Sequence, residues 1–126
     1  MTRSLLSSAV IVALIAVAAP AATHFAVAKS TPSSNQTVAQ VPKRIQIWFS
    51  QVPVEAVSQI KLTGADKAEV ALGKVVADKE SKSIYADLTA ALRPGGYIVS
   101  WRSAGDDGHV QTGEIKFTFK PKSGVQ

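Results

Sequence analysis

From residue 44 to the end of the chain, apolar and polar side chains alternate with a period of two. Arg44-Ile45-Gln46-Ile47-Trp48-Phe49 places Ile45, Ile47 and Phe49 on one face of an extended segment. Ser58 to Thr63 repeats the pattern with Ile60 and Leu62, and Glu69 to Val76 carries Val70 and Leu72 before Gly73 interrupts it. Ser83 to Leu88 offers Ile84, Ala86 and Leu88, while Tyr97 to Trp101 groups Tyr97, Val99 and Trp101. Glu114 to Lys120 alternates without error and turns Ile115, Phe117 and Phe119 inward. Trp101, in phase with Tyr97 and Val99, is expected in the core. Trp48 falls on the outward face of its segment, where it either packs beneath a loop or seeds an exposed patch.

Turn-forming residues separate these runs: Gly64 to Lys67, Asp78 to Ser81, Arg93 to Gly96 and Gly105 to Gly108. Thr89 to Leu92 has room for one helical turn, and no amphipathic stretch of helix length follows the first two dozen residues. Six or seven short strands in about a hundred residues predict an all-β protein, an antiparallel β-sandwich or Greek-key barrel of the immunoglobulin-like kind.

The N-terminus has a different character. Met1-Thr2-Arg3 is basic, Leu5 to Ala19 is apolar apart from Ser7 and Ser8, and Pro20-Ala21-Ala22-Thr23 supplies small residues. That order describes a secretory signal peptide, and the apolar run is short of the ~20 residues a spanning helix needs. The expected organisation is a signal peptide at 1–23 and one domain at 24–126, exported to a bacterial periplasm. Cleavage before Ala22, His24 or Lys29 satisfies the small-residue pattern, and no stable membrane insertion is expected afterwards.

Composition narrows the chemistry. The 126 residues include no cysteine and a single methionine, Met1. Disulfides, thiolate metal sites, a cysteine nucleophile and thioether ligation inside the domain are therefore excluded. The formal charge of +5 comes from lysines and arginines that are scattered rather than run together in a block with aromatics, so no nucleic-acid groove is expected. Phosphate-cradling motifs and a glycine-flanked serine on a strand-to-helix turn are missing.

One cluster remains, Asp106-Asp107-Gly108-His109. In a tight loop Asp107 and His109 point to the same side and offer an oxygen and an imidazole nitrogen. The only other histidine, His24, would add an amine and a second imidazole if it were the first residue of the processed chain. Amine, two imidazoles and a carboxylate form a donor set suited to tetragonal Cu(II). The alternative is that Asp-Gly marks a turn and both histidines are exposed polar residues.

His24-Phe25-Ala26-Val27-Ala28-Lys29-Ser30-Thr31-Pro32 resembles the start of the CopC family of periplasmic copper-binding proteins. Ile45 to Ser50 is similar to that family's I-x-L-x-F-S strand, and Pro94 to Arg102 to its P-G-x-Y-x-V-x-W-R strand. Asp107-Gly108-His109 follows at the family's spacing, with Gly113 and a closing I-x-F-x-F strand after it. The resemblance implies a seven-stranded Greek-key β-barrel holding one Cu(II) per chain. His24 would give its amine and imidazole, His109 an imidazole and Asp107 a carboxylate oxygen. Gln51 stands where the family often has glutamate, and Val110 where it commonly has proline. The methionine-rich Cu(I) loop of some members has no counterpart here.

The implied role is copper buffering, or delivery to an inner-membrane importer, in copper resistance and homeostasis. It is that of a binding protein, not an enzyme, and nothing in the sequence calls for more than a monomer. Two readings compete with it. A copper-dependent oxidase or monooxygenase would share the N-terminal histidine chelate, but needs an open position where Asp107 would bind. A metal-free immunoglobulin-like interaction module would show an exposed apolar patch around Trp48. Arg102, beside Trp101, either anchors the Asp107–His109 loop or faces solvent.

Overall fold

The alternating segments pair into two packed sheets. The computed structural model describes residues 24–123 and the isolated position Ala13, so the expected signal peptide, that one position apart, lies outside the described residues. Among the described residues nine strands run in chain order: β1 (Val27–Thr31), β2 (Gln36–Val38), β3 (Arg44–Phe49), β4 (Gln59–Gly64), β5 (Glu69–Val70), β6 (Val76–Asp78), β7 (Ser83–Asp87), β8 (Gly95–Ala104) and β9 (Val110–Phe119). One sheet has the order β1-β3-β7-β6 and the other β2-β9-β8-β4-β5. The chain passes back and forth between them, and only β4–β5, β6–β7 and β8–β9 are sequential neighbours in a sheet.

The all-β expectation holds, with differences in detail. Where seven strands were expected, nine segments pair, because β2, β5 and β6 contribute only two or three residues each. β2 pairs with β9 in parallel, Gln36 opposite Phe117 and Val38 opposite Phe119, so the fold is not purely antiparallel. Thr89 to Leu92 forms no helical turn; the one short 3-10 turn among the described residues is Glu55–Val57.

Every strong alternation buries the face it was expected to bury. Ile45, Ile47, Phe49, Ile60, Leu62, Ile84, Ala86, Tyr97, Val99, Trp101, Ile115, Phe117 and Phe119 make one core between the sheets. Each large apolar side chain fully withdrawn from water contributes roughly 1.5–3 kcal/mol, so this layer holds the sandwich together. The buried polar groups are paired: the Ser58 and Ser103 hydroxyls lie 2.7 Å apart, and Ser58 also donates to the Val54 carbonyl. No buried side-chain nitrogen or oxygen among the described residues lacks a partner.

The outer face of the four-stranded sheet covers its aromatic rings with cations. Lys29 Nζ lies 4.6 Å above the Trp48 ring, and the Arg44 guanidinium 3.7 Å above Tyr85. Trp48 is thus half-buried, with the Lys29 ammonium over its ring. Arg44 also donates to Asp87 Oδ1 at 2.7 Å, and that hydrogen bond raises its already high pKa. Arg102 is exposed on the opposite sheet, between Gln59 and Thr112.

Candidate metal centre

Three pieces of chain meet at one end of the sandwich: the segment before β1, the connection after β3 and the loop from β8 to β9. The loop exists because β8 and β9 stay in register until Ala104 faces Val110, leaving residues 105–109 to reverse direction. The Gly108 N–H donates to the Gly105 carbonyl at 3.0 Å and closes the turn. Gly108 itself has φ +73°, in the left-handed region where a side chain is strained.

This geometry brings Asp107 and His109 to one side. Asp107 Oδ1 accepts the His109 backbone N–H at 3.1 Å, which fixes the carboxylate against the turn. Its other oxygen, Oδ2, then lies 3.5 Å from His109 Nδ1. Both side chains are exposed, His109 at 86% and Asp107 at 56%. Two donors bound at right angles to one ion, each ~2.0–2.1 Å away, stand about 2.9 Å apart. A small rotation of the exposed His109 side chain closes the difference, so the two groups could share a cation.

His24 reaches the same end by a different route. Phe25 is buried at 2% exposure and stacks on Phe49, with ring centroids 4.4 Å apart at 21°. Phe49 in turn meets the edge of Trp101 at 5.3 Å. Phe25 also lies against the start of the loop: a methyl built on Gly105 would come within 3.0 Å of Phe25 Cδ2 and would collide with Gln51 Oε1. The absence of a side chain at Gly105 therefore lets the N-terminal segment, the β3 exit and the loop touch. The connection after β3 is tied to the end of β8 by the Val54 N–H, which donates to the Ala104 carbonyl at 2.9 Å.

The backbone of His24 is held by Ser50. The Ser50 hydroxyl donates to the His24 carbonyl at 2.8 Å and accepts the Ala26 N–H at 3.0 Å. The sequence carries no signal for this role beyond the serine that ends the Ile45–Ser50 pattern, and none for Phe25 as a core residue. Gln51, noted in the sequence for its position, lies against Gly105.

Of the three expected ligands, the structure pairs Asp107 with His109 and places the segment carrying His24 against the same loop. Among the described residues it does not gather three or more His, Cys, Asp or Glu side chains into one ready-made cluster. Nor is any helix among them long and apolar enough to cross a membrane.

The domain is thus a two-sheet β-sandwich that carries an Asp-Gly-His turn at one end, against its N-terminal segment. The family model described as the CopC domain matches residues 27–120, and the chain belongs to the CopC family. PcoC, a methionine-rich copper resistance protein from Escherichia coli, is similar in structure: its TM-score is 0.67 and its sequence identity 33%, covering 78% of this chain and 100% of that one. Its selenomethionine form gives 0.66 and 32%, covering 75% and 99%. CopC from Methylosinus trichosporium OB3b shares the fold with a TM-score of 0.73 at 24% identity, covering 82% of this chain and all of the other. No curated protein sequence matches the chain.

Proposed function

We propose that this protein binds copper in a copper-resistance or copper-homeostasis role. The observation that carries the reading is the Asp107–His109 pair, 3.5 Å apart and open to solvent, in a chain of the CopC family. A similar protein, PcoC, is a copper resistance protein.

The cargo is Cu(II), one ion per chain. Asp107 supplies a carboxylate oxygen, His109 an imidazole, and His24 an imidazole together with the terminal amine once a leader at 1–23 has been removed. This set of nitrogen and oxygen donors suits Cu(II). PcoC is described as methionine-rich, whereas the only methionine here is Met1, which supports Cu(II) over Cu(I) as the ion held. A carboxylate in the fourth position blocks the place a dioxygen molecule would need, which supports a binding protein over an oxidase.

Removal of residues 1–23 is part of the reading, as is release of residues 24–126 into the periplasm as a monomer. The burial of Phe25 supports a start at or before His24: cleavage before Lys29 would delete a core ring and the first two residues of β1. Buffering of copper, or its transfer to an inner-membrane importer, is the role this reading gives the protein, and the exposure of Asp107 and His109 leaves the ion accessible to a recipient.

The test is native mass spectrometry of the exported, processed protein with one equivalent of Cu(II). The expected species starts at His24 and retains one copper ion. A chain starting at His24 that retains no copper overturns the proposed site.

A further inference from the structure

The geometry points to Ser50 as the positioning residue for the N-terminal copper ligand, an inference that rests on the copper site proposed above. β1 and β3 form an antiparallel ladder whose register slips by one residue between Val27 and Lys29, so the strand bulges just after the terminal segment. Beyond the bulge, the Ser50 N–H still donates to the Ala26 carbonyl at 2.8 Å. The opposite bond of that pair is made by a side chain: the Ala26 N–H reaches the Ser50 hydroxyl at 3.0 Å. The hydroxyl proton then goes to the His24 carbonyl at 2.8 Å.

One side chain thus takes hold of the backbone on both sides of Phe25 as the strand ladder runs out. Phe25 fixes the segment in depth through its buried ring, and Ser50 fixes its direction. The Phe25 ring lies against Gly105, where the Asp107–His109 loop begins, so residue 24 is held one position from a residue that touches that loop. Both bonds are exposed to solvent. Water therefore replaces them when the hydroxyl is removed, and the fold loses little. What is lost is the fixed path of residue 24. Preorganisation of a terminal chelate is worth affinity because an unfixed segment must be ordered when the ion binds.

The test uses the exported, processed protein and its Ser50→Ala, Ser50→Thr and His24→Ala variants. In the copper-free state, amide hydrogen exchange at Ala26 is expected to be slow in the parent and Ser50→Thr, and at least about tenfold faster in Ser50→Ala. Cu(II) affinity, measured by competition titration, is expected to fall about tenfold in Ser50→Ala, the order of one net hydrogen bond. The electron paramagnetic resonance spectrum of that variant should broaden into more than one species, while the melting temperature without copper stays close to the parent's. Ser50→Thr keeps the hydroxyl and should restore affinity and a single spectrum.

Parental affinity with a single parental spectrum in Ser50→Ala overturns the inference. If His24→Ala nonetheless loses copper, the site stands and only the role of Ser50 falls. If His24→Ala also binds like the parent, the copper site falls with it. Should Ser50→Ala fail to accumulate, the parent alone decides: an Ala26 amide that exchanges as fast as in an open peptide overturns the inference.

Discussion

The ring of Phe25 lies stacked on that of Phe49, centroid to centroid 4.4 Å, and so the segment before the first strand is part of the core. Replacing Phe25 with alanine should cost about 3 kcal/mol of stability, the usual scale for an aromatic ring deleted from a packed site. Denaturant unfolding of the copper-free protein measures this. The same variant should bind Cu(II) more weakly, because His24 loses its nearest fixed point.

Trp101 imposes a different demand on its neighbour across the sheet. A methyl built on Gly113 would stand 2.7 Å from three atoms of the indole, and Trp101 is itself buried against Phe49. Gly113→Ala is therefore expected to destabilise the protein by about 1–3 kcal/mol through overpacking. A shift in the tryptophan near-ultraviolet circular dichroism should accompany the lowered unfolding midpoint. An unchanged midpoint would mean that the ring yields without cost.

The turn that presents His109 relies on the positive φ of Gly108. Gly108→Ala should cost about 1 kcal/mol, the penalty for placing a side chain in the left-handed region. Its effect on copper should exceed its effect on stability, since the Asp107–His109 pair is set by that turn. Calorimetry with and without Cu(II) separates the two.

His109→Ala and Asp107→Asn remove donors from an exposed loop and should leave the copper-free melting curve within about 0.5 kcal/mol of the parent. Cu(II) affinity should fall at least about a hundredfold for His109→Ala and less for Asp107→Asn, which keeps a neutral oxygen. Protons compete with the metal for amine and imidazole nitrogens, so acidification should release copper from the parent. Titration at stepped pH follows that release.

Much of the fold was legible because period-two alternation is a direct consequence of a strand buried on one side. β3 matches its expected span, and the inward faces of β4, β7, β8 and β9 are the ones the alternation picks out. β1 and β2 were not legible. β1 is an edge strand whose residues are nearly all exposed, and β2 is three residues long, so neither leaves an apolar stripe. Phe25 escaped for the same reason, a single buried ring between exposed neighbours.

The site was readable in part. Asp107 and His109 are two residues apart, and a tight Asp-Gly turn suffices to bring their side chains together. The contact of Phe25 with Gly105 and the hold of Ser50 on His24 join distant parts of the chain. Neither spacing nor composition encodes such contacts; they follow from strand register and from the missing side chain at Gly105.

The two ends of the candidate site, His24 and His109, are eighty-five positions apart in a chain that contains no cysteine. An ion held by both would serve as a removable cross-link, closing a loop that in the chain-entropy picture of a disulfide is worth about 4.5 kcal/mol. Copper would then be a fastener as well as a cargo. The loaded protein would resist proteases that attack the empty one, and unfolding would return the metal to its surroundings.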